Sequence, residues 1–120
     1  MSEDNGADKL TPCPKKPNCV SSRATGRQWI DPLANGETQW QRLPTVLGEF
    51  PGIRIVAREA DYLRAEARTP ILRFVDDLEF QYSPDEDVIQ MRSASRLGYS
   101  DFGTNRKRLE SIRERLEEKS

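Results

Sequence analysis

The hydrophobic period of the chain changes twice, and this limits the fold more than any other feature. Trp40, Leu43, Leu47 and Phe50 recur at helical spacing, until Pro51 and Gly52 stop the run. From Ile53 the period becomes two, through GIRIVARE, DYLRAEART, ILRFVDDLEFQY and VIQMRSASR. The helical period then returns over residues 104–118, with Leu109, Ile112 and Leu116 on one stripe. Side chains alternate across a strand and spiral around a helix, so neither pattern can bury its apolar side as the other element. The expected order is α-β-β-β-β-α. This is an α+β, two-layer sandwich in which a four-stranded antiparallel meander carries two helices packed on one face.

Local signals refine this outline. Thr38 is the expected N-cap of the first helix, and Pro44, which has no N–H, predicts a late start or a kink. Trp29, Ile30, Pro32 and Leu33 are expected to anchor the preceding segment on the core. Residues 1–12 read as a flexible tail, and residues 13–120 as one domain of a length that builds a modest core. Register follows from matching apolar residues across the last hairpin. A four-residue loop over 83–86 sets Phe80 opposite Ile89, Leu78 opposite Met91, Asp76 opposite Ser93, Phe74 opposite Ser95 and Asp77 opposite Arg92.

That register turns the core face polar partway along. Asp76, Ser93 and Ser95 share it with the apolar residues, and Asn105 continues the stripe of the last helix one turn before Leu109. Gly98 and Gly103 suit a tight turn between strand and helix, and Ser100 or Asp101 would cap the helix. Arg92, Arg96, Arg106, Lys107 and Arg108 stand against Asp101 alone between residues 92 and 108. A helix start flanked by arginines suits an anion. The ligand-binding candidates are therefore Asp76, Ser93, Ser95, Arg96, Asn105 and Arg106. Arg96 and Arg106 would meet an anionic group, while Arg92, Asp77, Ser100 and Asp101 would form a supporting polar network.

Composition removes several functions. The chain has no histidine, hence neither the commonest general base nor the commonest metal ligand. Its net charge of −1 supplies no global field for nucleic acid, so no nucleic-acid partner is expected. Hydrophobic residues make up 35% and charged residues 32%, and no apolar run is long enough to cross a bilayer. Alternation puts Asp76 inward and Asp77 and Glu79 outward, which disfavours paired hydrolytic carboxylates. There is no P-loop, dinucleotide glycine fingerprint or Gly-x-Ser-x-Gly, and no cofactor is expected. The first functional expectation is a non-catalytic binding or accessory module for a small anionic ligand or a protein partner. The alternatives are a histidine-free enzyme with Asp76 as general base, or a purely structural polar network with protein contacts made elsewhere on the surface.

CPKKPNCVSSR, DYLRAE, RFVDDLEF and RSASRLGYSDFGTNRKRLE together resemble a bacterial and plastid family catalogued as domain of unknown function 1499. The resemblance runs from about Pro12 to the final helix. It implies a small domain without an assigned reaction, often preceded by a signal peptide, a lipoprotein signal or a plastid-targeting segment. Residues 1–9 are polar and acidic, so the chain as written is expected to be cytoplasmic, and a trimmed mature form periplasmic or membrane-tethered. Cys13 and Cys19 follow that choice: a disulfide closing a small loop in an exported protein, free thiols in the cytosol. Two cysteines with no histidine are too few for an ordinary zinc site.

Overall fold

The computed structural model describes residues 9–118. Its elements are β1 (Cys19–Ser21), a short 3-10 turn (Gly26–Gln28), α1 (Gly36–Leu47), β2 (Ile53–Arg58), β3 (Tyr62–Arg68), β4 (Val75–Ser83), β5 (Val88–Ser95) and α2 (Thr104–Glu118). The sheet is antiparallel in the order β1-β5-β4-β3-β2. The expected four-stranded meander is present, and β1 adds a fifth strand at the β5 edge. Only three residues long, β1 is too short to show a period of its own in the sequence.

Both helices lie on one face. Leu63, Ala65, Leu78, Phe80, Ile89 and Met91 of the sheet meet Leu43, Val46 and Leu47 of α1 and Leu109, Ile112 and Leu116 of α2 in a single core. α1 starts two residues before Thr38 and runs through Pro44. Its first turn is satisfied from outside: Gly36 N–H donates to the Asp87 carbonyl at 2.8 Å, and Glu37 N–H donates to Asp87 Oδ1 at 2.8 Å. A Cβ on Gly36 would lie 2.8 Å from backbone atoms of Asp87 and Val88 and from the Tyr82 ring, so only glycine fits between this helix and the β4–β5 turn. Ile30 and Leu33 are buried as expected, whereas Trp29 is largely exposed.

The last hairpin keeps the expected faces but not the expected partners. Asp76 pairs with Ser95, Leu78 with Ser93, Glu79 with Arg92, Phe80 with Met91 and Tyr82 with Ile89. The shift is two residues, because the turn is closed between Ser83 and Val88 rather than between Tyr82 and Asp87. A slip of two leaves every side chain on its own face, so matching apolar residues cannot detect it.

Two further expectations change. ILRF does not begin β4, which starts at Val75, so Leu72 and Phe74 leave the core face and stand on the β3–β4 loop. Pro70 cannot donate to a ladder, and Thr69 closes the loop on itself. Thr69 N–H donates to the Phe74 carbonyl at 2.9 Å, and Phe74 N–H to Thr69 Oγ1 at 2.8 Å. In addition, residues 9–12, read as the end of a tail, lie across the outer face of the sheet. Leu10 is buried there, Lys9 N–H donates to Gln81 Oε1 at 2.9 Å, and Thr11 N–H donates to Glu79 Oε1 at 3.1 Å. The outer face offers buried acceptors for these N–H groups, which alternation alone does not reveal. Residues 1–8 fall outside the described part. No helix of the described residues is long and apolar enough to cross a membrane.

Candidate functional site

The polar end of the core face is built around Asn105. It opens the buried stripe of α2, and β5 brings Ser93 and Ser95 beneath it. Asn105 Nδ2 donates to Asp101 Oδ2 at 2.7 Å, to Ser95 Oγ at 3.0 Å and to the Asn18 carbonyl at 3.3 Å. Its Oδ1 accepts from the Ser93 hydroxyl and, at 3.0 Å, from Arg108 Nη1. The same Arg108 nitrogen lies 2.8 Å from Asp76 Oδ2, an ion pair with both partners largely enclosed. Asp101 also receives the Gly103 N–H at 2.8 Å, and this carboxylate caps the start of α2, where the helix dipole favours negative charge.

Cys13 and Cys19 are joined as a disulfide, with Cα atoms 5.7 Å apart. The loop they close sits against the cluster. Asn18 Nδ2 donates to the Gly98 carbonyl at 2.9 Å, Asp101 N–H to the Pro17 carbonyl at 3.1 Å, and Ser95 N–H to the Asn18 carbonyl at 2.9 Å. The disulfide loop is thereby tied to a stretch some 80 residues on, the end of β5 and the β5–α2 connection that leads into α2.

Of the six ligand-binding candidates, Asp76, Ser93, Ser95 and Asn105 come together, and Arg96 and Arg106 do not join them. Arg96 lies on the opposite face of the sheet. Its guanidinium is held by Asp77 at 2.9 Å and Glu66 at 2.8 Å, and these carboxylates push its already high pKa further up, Asp77 most. Arg106, next to Asn105 on the helix, points around the barrel of α2 and donates to the carbonyls of Arg27 and Trp29, each at 2.8 Å. Among the expected supporting residues, Asp101 belongs to the cluster. Ser100 Oγ accepts the Phe102 N–H at 3.2 Å and does not join the cluster. Arg92 meets Glu79 at 3.2 Å rather than Asp77, as the two-residue register shift requires.

Beside the cluster lies a cleft of about 370 Å³ between the β3–β4 loop and the β5–α2 loop. Leu72, Phe74, Leu97 and Phe102 form its walls, and Asp76, Ser95 and Asp101 supply polar atoms deeper in. Both loops are apolar at their tips. Ile71 is 89% exposed, Leu72 69%, Phe74 47%, Leu97 70%, Tyr99 70% and Phe102 90%. Trp29 is the one other large hydrophobic residue similarly exposed among those described. Arg73 and Phe102 have φ of 57° and 52°, the left-handed region that bulky side chains rarely adopt, so backbone strain accompanies the display of these loops.

A profile of the family described as a protein of unknown function (DUF1499) matches residues 9–116. The chain belongs to this family. No curated protein and no solved structure matches it. The span shared with the DUF1499 family takes in the strap at Lys9–Pro12, the disulfide loop, the sheet, both apolar loops and nearly all of α2. Reading the sequence missed two parts of the site. Arg108 lies three residues after Asn105 and therefore on the same side of α2, a spacing that was available in the sequence. Strand spacing places Leu72 and Phe74 on the core face, and the glycine turn expected around Gly98 and Gly103 says nothing of the exposure of Leu97, Tyr99 and Phe102.

Proposed function

We propose that this chain is a non-catalytic binding module whose contact surface is the loop end, with the Asn105 cluster as the scaffold that holds the two loops in place. The observation that carries this reading is the concentration of six exposed large hydrophobic residues on two neighbouring loops that flank one cleft. Exposed apolar groups gathered in one place on a small domain mark an interaction site. The cluster itself suits a scaffold. Asp76 is occupied by Arg108, and Asn105 bridges five partners. An anionic group on the partner would meet the cations around the loops, since Arg96 and Arg106 are already engaged. The Cys13–Cys19 disulfide fits an oxidising compartment, which favours a periplasmic or other envelope setting over the cytoplasm.

The test uses 1-anilinonaphthalene-8-sulfonate, a probe with an apolar body and one negative charge. The native protein is expected to enhance its fluorescence at a temperature well below unfolding. Leu72→Ser combined with Phe102→Ser should abolish the enhancement while the melting temperature stays at the parent value. A native protein that leaves the probe dark, or a double variant that enhances it as strongly as the parent, would remove the loop end as the contact surface.

A further inference from the structure

Charge is divided between the two ends of the molecule, although it nearly cancels over the whole chain. The β4–β5 turn carries the exposed Asp85, Glu86 and Asp87, while Glu59 and Asp61 of the β2–β3 connection at the same end of the sheet are paired with Lys9. The apolar loops stand at the opposite end, with exposed cations around them. Arg73 lies within the β3–β4 loop and Arg68 just before it, and Lys107 follows in the first turn of α2. Arg68 and Lys107 line a hollow of about 370 Å³ together with Thr69 and Thr104, two residues that also line the apolar cleft. Lys15 and Lys16 sit on the disulfide loop, which is bonded to the β5–α2 loop through Pro17 and Asn18. None of these five cations forms an ion pair among the described residues.

The apolar side chains at this end are tips. Ile71 and Phe102 are about nine-tenths exposed, one on each of the two loops that flank the cleft. Protein interfaces concentrate their affinity in close-packed pockets and anchors. Apolar tips as exposed as these, amid lysines and arginines, instead match the boundary between headgroups and acyl chains, where apolar groups leave water and cations meet anionic lipid. The acidic end of the chain would then face away from the bilayer. We infer that the 69–74 and 96–103 loops dock this protein on the surface of a bilayer carrying anionic lipid, with Leu72, Leu97 and Phe102 entering the interface and Arg68, Arg73 and Lys107 contacting the headgroups. This rests on the loop end being the contact surface and names its partner.

The experiment is co-sedimentation of the full, oxidised chain with vesicles of phosphatidylcholine alone and with vesicles of equimolar phosphatidylcholine and phosphatidylglycerol. Binding should be at least about tenfold stronger to the mixed vesicles, since each cation near an anionic surface contributes several-fold. Leu97→Ser with Phe102→Ser, and separately Arg73→Glu with Lys107→Glu, should each weaken that binding about tenfold or more while melting as the parent does. The inference is overturned by no binding to mixed vesicles, by equal binding to both compositions, or by binding that either double variant retains in full. A parent that binds the fluorescent probe at the loops yet leaves both vesicles unbound keeps the contact surface and transfers it to a protein or small-molecule partner. A parent that binds neither loses both readings.

Discussion

Asn105 donates to three acceptors and accepts from two donors, and three of those five partners, Asn18, Ser93 and Ser95, belong to segments that local structure would not hold against α2. Truncating it leaves the buried Ser93 hydroxyl without its acceptor and removes one partner each from Ser95, Arg108 and the Asn18 carbonyl. Asn105→Ala should therefore cost about 1–3 kcal/mol and lower the melting midpoint by several degrees. Arg96→Ala should melt close to the parent, because its ion pairs with Asp77 and Glu66 are solvent-screened. Thermal unfolding of the two variants side by side checks both halves. Equal losses would mean that Arg96 supports the fold from the outer face. The sequence distinguishes these residues by parity more reliably than by charge. Ser93 and Ser95 share a face of β5, and Arg96, one residue further on, continues with Arg92 and Ala94 on the other. On α2 a step of one residue turns about 100°, which carries Arg106 away from Asn105, whereas a step of three returns Arg108 to it.

The helices and the four main strands were legible because each carries two or more apolar residues at its own period, only Ile89 and Met91 in β5. Their ends and partners were not. A two-residue slip preserves every face, and the β4–β5 register is settled by the turn, where Asp87 adopts a left-handed φ of 53° and also receives the first two N–H groups of α1. ILRF was read as strand because apolar residues at strand spacing look the same whether they face a core or solvent. Pro70 was the available sign that the ladder stops there. The disulfide loop is the element whose role depends most on tertiary context. Its bridge encloses few residues, which by chain entropy contributes about 2 kcal/mol. Reduction of the intact protein should lower the melting midpoint by several degrees. Amide exchange should accelerate at Asp101 and Ser95, whose N–H groups bond the Pro17 and Asn18 carbonyls. Unchanged exchange at both positions would show that the loop holds its place without the bridge.

At the scale of the molecule the sheet separates an apolar layer from a second, smaller buried layer that is polar. On the outer face Glu79 receives Arg92 at 3.2 Å, the Tyr62 hydroxyl at 2.9 Å and the Thr11 N–H at 3.1 Å, beneath the strap that includes the buried Leu10. A buried ion pair is costly unless the hydrogen-bonding groups around it are satisfied; Tyr62 and Thr11 supply two such bonds to Glu79, while Arg92 Nε has no partner among the described residues. The cost appears on the phenol. Burial first, and then the hydrogen bond to the Glu79 carboxylate, push the Tyr62 pKa from 10.0 up to about 12. Between those values the unfolded chain has released a proton that the folded chain retains. The contribution to stability is complete below pH 10 and is lost as pH rises through about 12. Tyr62→Phe should flatten that part of the alkaline decline in the urea midpoint. The share from Lys9 and Tyr82, whose pKa values folding also raises, should remain. A chain beginning at Cys13 should shift in the same direction, since without the strap water reaches Glu79 and the phenol returns toward its ordinary value. Its absorbance titration should show one tyrosine ionising earlier than in the full chain. If that titration is unchanged, the sheet itself shields the phenol and the strap contributes only its hydrogen bonds.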